Sequence, residues 1–303
     1  MNDYVGNKTD FYFASDKTAD IVNLALRLDR PILVEGEPGC GKTMLAYSIA
    51  KELELGEVVK ISVKSTSRAQ DLLYRVDALR RLQDAQNPQM TQAQFIYPYL
   101  SLGALGGAIH RRERRVVLID EVDKADIDFP NDLLDVLDQF TFEIPDLPAE
   151  EEEASLKDRH FGRRISGSDG THPIVVITSN KEKRLPEPFL RRCLYVRLRF
   201  PDDPKDLEEI VRKNTRLIPV EWSQRVLESA VLAFLRVRKK AVGNTQKPPS
   251  TSELIDWVRI LHWKDQTAEV LKNGGDVPPY WETLFKTMGD LDTYSTITGQ
   301  KPA

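Results

Sequence analysis

Gly36-Glu37-Pro38-Gly39-Cys40-Gly41-Lys42-Thr43 follows the apolar run Ile32-Leu33-Val34 and leads into the helix-periodic stretch from Met44 to Leu53. A glycine-rich turn between a strand and a helix, closed by Lys-Thr, has the composition and setting of a phosphate-binding loop. Glycines at 36, 39 and 41 let the backbone wrap an anion without β-carbon clashes, and the first amides of the helix face it with the positive end of the dipole. Lys42 is expected to reach the β and γ phosphates, and Thr43 to ligate magnesium. The nucleotide-binding candidates are therefore Gly36, Glu37, Pro38, Gly39, Cys40, Gly41, Lys42, Thr43 and Met44.

Downstream of that loop, the apolar run Val116-Val117-Leu118-Ile119 ends in Asp120-Glu121. In a phosphate-loop protein two adjacent carboxylates at a strand end divide the labour: Asp120 organises magnesium and Glu121 polarises the attacking water. Ile174-Val175-Val176-Ile177 ends in Thr178-Ser179-Asn180, which brings an amide to the same kind of position, able to orient the water or touch the γ phosphate. The pattern Asn180-Lys181-Glu182-Lys183 resembles a guanine-reading motif, but lysine replaces its aspartate. Without that carboxylate the guanine amino group has no acceptor, so ATP is the expected nucleotide.

Leu185-Pro186-Glu187-Pro188-Phe189-Leu190-Arg191-Arg192-Cys193 puts Arg191 and Arg192 at the end of a short helix, and neither has an obvious acidic partner in the sequence. Arginines presented at a subunit edge can complete a neighbour's phosphate site. The run His110-Arg111-Arg112-Glu113-Arg114-Arg115 is locally basic and admits a nucleic-acid motor as a second reading. A charged entry to the strand is the plainer explanation of it.

Short β-branched runs near 32–34, 58–63, 116–119, 174–178 and 194–198 alternate with helical patterns, which predicts a parallel α/β sheet. Ile21, Leu24, Ala25 and Leu28 mark a helix before the first strand. After Pro201 the pattern turns helical, with Trp222, Leu227, Val231, Leu232 and Leu235, then Leu254, Trp257, Val258 and Leu261, as expected buried faces. The predicted organisation is an N-terminal arm over 1–14, an α/β nucleotide-binding core over 15–200 and an α-helical lid with further helices over 201–303. Two inserts interrupt the core, near 71–100 and near 145–173. The second has possible short strands around an acidic Glu150-Glu151-Glu152-Glu153 tip and predicts a projecting hairpin.

With 303 residues, 41% hydrophobic and 30% charged, the chain can build one large or two modest cores. A net charge of -4 gives no global attraction to nucleic acid or anionic lipid. Cys40 and Cys193 lack metal-type spacing and fit a reducing compartment. There is no signal-like N-terminus and no run approaching the ~20 apolar residues of a membrane span. A cytoplasmic protein with no membrane partner is expected.

Taken together, these residues resemble the AAA+ ATPase superfamily: residues 36–43 match Walker A, 116–121 Walker B, Asn180 sensor 1 and Arg191-Arg192 the arginine-finger position. Leu118-Ile119-Asp120-Glu121-Val122-Asp123-Lys124-Ala125, the following Leu133-Leu134-Asp135-Val136-Leu137 and the insert after Asp71-Leu72-Leu73 are similar to the MoxR branch. The resemblance implies a five-stranded parallel P-loop core with a helical lid, ATP and Mg2+ as cofactors, and catalytic roles for Glu121, Asn180, Arg192 and Arg191. It also implies a homo-oligomeric, usually hexameric, ring. A protein client or a von Willebrand factor A domain partner would then be matured or remodelled by a chaperone-like ATPase. One departure stands out: Pro249-Ser250-Thr251-Ser252-Glu253-Leu254 has Ser252 where relatives carry the sensor 2 arginine. That departure motivates another alternative, a nucleotide-dependent assembly switch with little turnover. Tyr12 to Ser15 are candidates for holding adenine.

Overall fold

The computed structural model describes residues 3–86, 96–147, 162–167, 172–201, 203–214, 224–273 and 275–300. Its strands are β1 (Ile32–Gly36), β2 (Val59–Ser62), β3 (Tyr74–Val76), β4 (Leu100–Leu102), β5 (Val116–Asp120), β6 (Thr141–Glu143), β7 (Arg164–Ser166), β8 (Ile174–Ser179) and β9 (Leu194–Leu198). Among the α-helices, α1 (Asp16–Arg27), α2 (Lys42–Glu52), α3 (Ala69–Leu73), α4 (Ala78–Ala85), α5 (Ala104–Arg111), α6 (Asp128–Asp132), α7 (Leu134–Gln139) and α8 (Glu187–Arg192) alternate with the strands. The C-terminal region is helical: α9 (Pro204–Asn214), α10 (Gln224–Ala241), α11 (Thr251–Trp263), α12 (Ala268–Asn273) and α13 (Met288–Thr298).

The main sheet is five-stranded and parallel, in the order β2-β5-β8-β1-β9. Every residue of β5 and β8 is buried, as their unbroken apolar runs require of strands covered on both faces. The register pairs Ile119 with Ile177, Ser62 with Asp120, and Glu35 with Ser179. Parallel alignment therefore brings the C-terminal ends of β1, β5 and β8 to one edge of the sheet, where open α/β sheets bind ligands.

Two compact units make up the chain, and neither is continuous in sequence. One comprises Met1–Tyr4, Asp16–Glu35 and Ile49–Arg197; the other comprises Val5–Ser15, Gly36–Ser48 and Leu198–Ala303. In the first, Leu33, Leu105, Ile109, Val117, Ile119, Phe129, Leu133, Ile177 and Phe189 belong to one hydrophobic core. Each such side chain withdrawn from water contributes about 1.5–3 kcal/mol against chain entropy. The second expected insert is a hairpin at its base: β6 and β7 pair antiparallel, Phe142 opposite Ile165, with both rows of flanking residues turned outward. Its acidic run at 150–153 lies outside the described residues. In the first insert, β3 and β4 form a second small antiparallel pair and α4 carries no buried residue.

The core of the second unit is helical. Leu227, Val231, Phe234 and Val237 of α10 pack with Leu254, Trp257, Val258 and Leu261 of α11. Trp281, Phe285 and Tyr294 form an aromatic cluster beside them, with ring centroids 4.9–5.9 Å apart. Leu232 departs from the sequence expectation, being 47% exposed. At 100° per residue it sits off the stripe that Leu227, Val231 and Phe234 define, so the helix turns it to solvent. Trp222 lies outside the described residues. Helix α11 starts with a capping box: Glu253 accepts from the Ser250 backbone amide at 2.9 Å. Among the described residues no helix is long and apolar enough to cross a membrane.

Candidate nucleotide site

Strand β5 delivers two carboxylates to the C-terminal edge of the sheet. Asp120 is buried, 7% exposed, and a carboxylate that deep needs compensation. Thr178 Oγ1, from the neighbouring strand β8, donates to Asp120 Oδ1 at 2.7 Å, and the Lys60 ammonium from β2 lies 2.6 Å from Oδ2. The same Thr178 oxygen accepts from the Glu121 backbone amide at 2.8 Å. One hydroxyl thus locks both residues of the pair to the next strand.

Glu121 has φ of +61°, a left-handed conformation that costs a non-glycine residue on the order of 1 kcal/mol. The turn ends β5 abruptly, and the Glu121 carboxylate takes partners different from those of Asp120. Asn180 Nδ2 donates to Glu121 Oε1 at 3.2 Å, and Lys124 Nζ donates to Oε2 at 2.5 Å. That hydrogen bond raises the Lys124 pKa above its ordinary value. Asn180 is itself anchored: its amide, and that of Glu182, donate to Asp123 Oδ2 at 3.1 and 2.8 Å. Asp123 is buried, 2% exposed, and holds the turn after β8 against the turn after β5.

Arg191 and Arg192 close α8, and here the structure corrects the sequence reading, because both have carboxylate partners in the same chain. Arg191 pairs with Glu187 one turn earlier at 3.0 Å, and both side chains are well exposed. Arg192 Nε donates to Asp138 Oδ2 at 2.6 Å. The first partner is at i−4 and could have been read from the sequence; the second is 54 positions away and could not.

The phosphate loop belongs to the second unit. Gly39 and Gly41 have φ of +78° and +90°, the conformation that only glycine adopts without strain. A β-carbon at Gly39 would collide with the Ser250 hydroxyl, and one at Gly36 with the Leu198 carbonyl. Lys42 is buried and donates to the Gly36 and Glu37 carbonyls, both at 2.9 Å, so its ammonium already spans the loop. Thr43 follows it in the first turn of α2, and Met44 is partly exposed. The Tyr12 ring lies against Gly41, within 3.2 Å of where a β-carbon would stand, and Lys213 donates to the Asn7 and Thr9 carbonyls of the same arm. Burial pushes the Cys40 thiol pKa up, with the nearby Lys42 charge opposing it. A thiol held protonated is a poor nucleophile.

Helix α11 and helix α10 reach this loop from within the same unit. Thr251 Oγ1 donates to the Gly39 carbonyl, and Ser252 Oγ contacts the same oxygen at 3.4 Å. Arg238 Nη2 donates to Glu37 Oε2 at 2.8 Å. Sequence reasoning missed Lys60, Thr178, Asp123, Lys124, Arg238 and Thr251. Only Asp123 and Lys124 carried a signal, as polar residues directly after the carboxylate pair.

A search of the solved structures returns a point mutant of RuvB from Thermotoga maritima, 15% identical, with a TM-score of 0.47 over 97% of this chain and 86% of that chain. No curated protein matches. The family model described as "AAA domain (dynein-related subfamily)" matches residues 31–193, a span that contains Lys42, Asp120, Glu121, Asn180, Arg191 and Arg192. That span is more than half of the chain, and the protein belongs to this AAA family.

Proposed function

We propose that the chain is an ATP-hydrolysing AAA+ machine of the MoxR type, assembled as a ring, that remodels or matures a protein partner complex. The observation that carries the hydrolytic reading is the Glu121 carboxylate, turned out of β5 by a left-handed residue and held by the Asn180 amide at 3.2 Å. In this reading Lys42 and the loop amides bind the β and γ phosphates, Glu121 polarises a water molecule, and Asn180 fixes the direction of its attack. Arg192 or Arg191 completes a neighbouring subunit's site.

The donor chemistry of the residues proposed for it suits magnesium. Thr43 and Asp120 offer hard oxygen donors, and the buried Asp120 carboxylate already holds a cation, the Lys60 ammonium. Among the described residues no group of three or more His, Cys, Asp or Glu could hold a metal alone, so phosphate oxygens and water must supply the other ligands. When bound, magnesium neutralises charge that develops on the phosphates.

A protein client, or a partner with a von Willebrand factor A domain, is favoured over nucleic acid. In the basic run, Arg111 and Arg115 both face Glu113, at 3.4 and 3.3 Å, and Arg114 donates to the Leu26 carbonyl at 3.4 Å. Two of the four arginines thus share one carboxylate and a third is turned to a backbone carbonyl, which engages part of the run within the fold. The reading of a low-turnover switch has one observation in its favour: the Lys124 ammonium already holds the Glu121 carboxylate.

Phosphate release from ATP with magnesium tests the proposal directly. Wild type should turn over and Lys42→Ala should bind no nucleotide. A wild-type chain that binds ATP without releasing phosphate, alone or with candidate partners, supports the switch instead. Capture with Glu121→Gln in ATP should retain a protein client; recovery of nucleic acid in its place would reverse the choice of partner.

A further inference from the structure

We infer that Arg238 is a positioning residue for the phosphate loop, acting on bound ATP through Glu37. The inference rests on the ATPase reading and adds a residue that neither the loop motif nor the family match names.

Arg238 lies in the last turn of α10 and its side chain is 9% exposed, whereas that of its partner Glu37 is 56% exposed. Three groups hold the guanidinium. Its Nη2 donates to Glu37 Oε2 at 2.8 Å, its Nη1 donates to the Pro249 carbonyl, and its plane covers the Phe200 ring with 3.7 Å from Cζ to the centroid. A planar fork pinned on one face and at both ends has little freedom left, which is the use arginine has over lysine. Pro249 directly precedes the Ser250 cap of α11, and the next residue, Thr251, donates to the Gly39 carbonyl.

The loop is therefore clasped at two residues by one connected set of donors. Arg238 takes the Glu37 side chain, and through Pro249 it steadies the helix start that takes Gly39. Glu37 and Gly39 flank Pro38 in the segment whose carbonyls also receive Lys42. Phosphate binding needs the amides of this segment aimed together, and an error of about 1 Å is costly there. A buried arginine whose direct contact with the loop is the Glu37 carboxylate sets that aim without touching the phosphates.

A double-mutant cycle on ATP affinity, measured by calorimetry with Mg-ATP on the full chain, tests this. Glu37→Ala and Arg238→Met should each weaken binding about tenfold, and the double variant should bind about as weakly as either alone, because the two side chains act as one unit. Thermal melts run in parallel separate loop geometry from loss of fold. If the single losses multiply to about a hundredfold, Arg238 acts independently of Glu37 and the inference fails. If Arg238→Met lowers the melting temperature yet leaves ATP affinity intact, the arginine is structural only and the inference fails equally. Should the methionine variant not fold, Arg238→Lys replaces it in the same cycle, with a single effect of about threefold and the same non-additivity. Failure of wild type to bind ATP would instead overturn the ATPase reading itself.

Discussion

Asn180 donates its side-chain amide to the Glu121 carboxylate at 3.2 Å across 59 positions of sequence, and both residues stand at the C-terminal edge of neighbouring parallel strands. A carboxylate placed by a strained turn and steered by an amide is built for a directional task. Each part of that arrangement can be removed separately.

Replacing Glu121 by glutamine keeps the shape, leaves one acceptor oxygen for the two donors Asn180 and Lys124, and removes the carboxylate proposed as base. ATP binding should survive while hydrolysis falls ~10²-fold or more. On the proposed role of its amide, Asn180→Ala should cost hydrolysis ~10-fold or more and spare binding, since the contact to Glu121 is lost. Calorimetry and phosphate release together check both; undiminished turnover in the glutamine variant removes Glu121 from its proposed role.

Lys124 competes for the same carboxylate. If its ammonium restrains Glu121 between turnovers, Lys124→Ala should raise basal phosphate release several-fold with no change in ATP affinity. A drop in turnover would show that Lys124 supports the glutamate instead of restraining it.

The Arg192–Asp138 pair is partly exposed, 29% and 40%, so breaking it should cost under ~1 kcal/mol in urea denaturation. If Arg192 is the proposed finger, hydrolysis should fall far more, because such an arginine contributes ~10³ to 10⁵ in rate. Mixing Arg192→Ala with Glu121→Gln subunits should recover part of the activity if the arginine serves a neighbour. Asp138→Ala isolates the alternative: a loss equal to that of Arg192→Ala assigns the arginine to its own chain.

Packing predictions follow from α10 and α11. Trp257 is fully buried and its Nε1 donates to the Pro279 carbonyl at 2.9 Å, so Trp257→Ala should cost ~3–5 kcal/mol. Leu232→Ala, on the solvent face of the adjacent helix, should stay within ~0.5 kcal/mol. Equal losses at the two positions would contradict the burial assigned to them.

Cys193 is buried at the end of α8, and burial pushes its thiol pKa up to about 12 from 9.0. Folding disfavours the thiolate, so this group's contribution is fully present below the ordinary thiol value of 9.0. It is lost as pH rises from there towards about 12. Alkylating reagents at mildly alkaline pH should leave Cys193 unmodified until the chain is unfolded, which mass spectrometry of native and urea-treated protein would read.

The five strands of the main sheet with helices between them, the burial of β5 and β8 and the positions of Lys42, Asp120, Glu121 and Asn180 were legible because each depends on local chemistry, whereas the β3–β4 pair was not read. Glycine spacing permits the loop, unbroken apolar runs demand covered strands, and polar residues must appear where those runs stop. The pairings were not legible in that way. Arg192 finds Asp138, Lys60 finds Asp120, and Thr178 ties Asp120 to the Glu121 amide, each through sheet register or helix packing that no local pattern encodes. The sequence by itself determined that this chain has a phosphate loop, a carboxylate pair and a parallel sheet to carry them. Only the tertiary structure decided that the loop packs in one unit with α10 and α11, where Arg238 grips Glu37 from 201 positions away. The physical reason is that a charge as deeply buried as Arg238 must be paired, while nothing in its immediate sequence says with what.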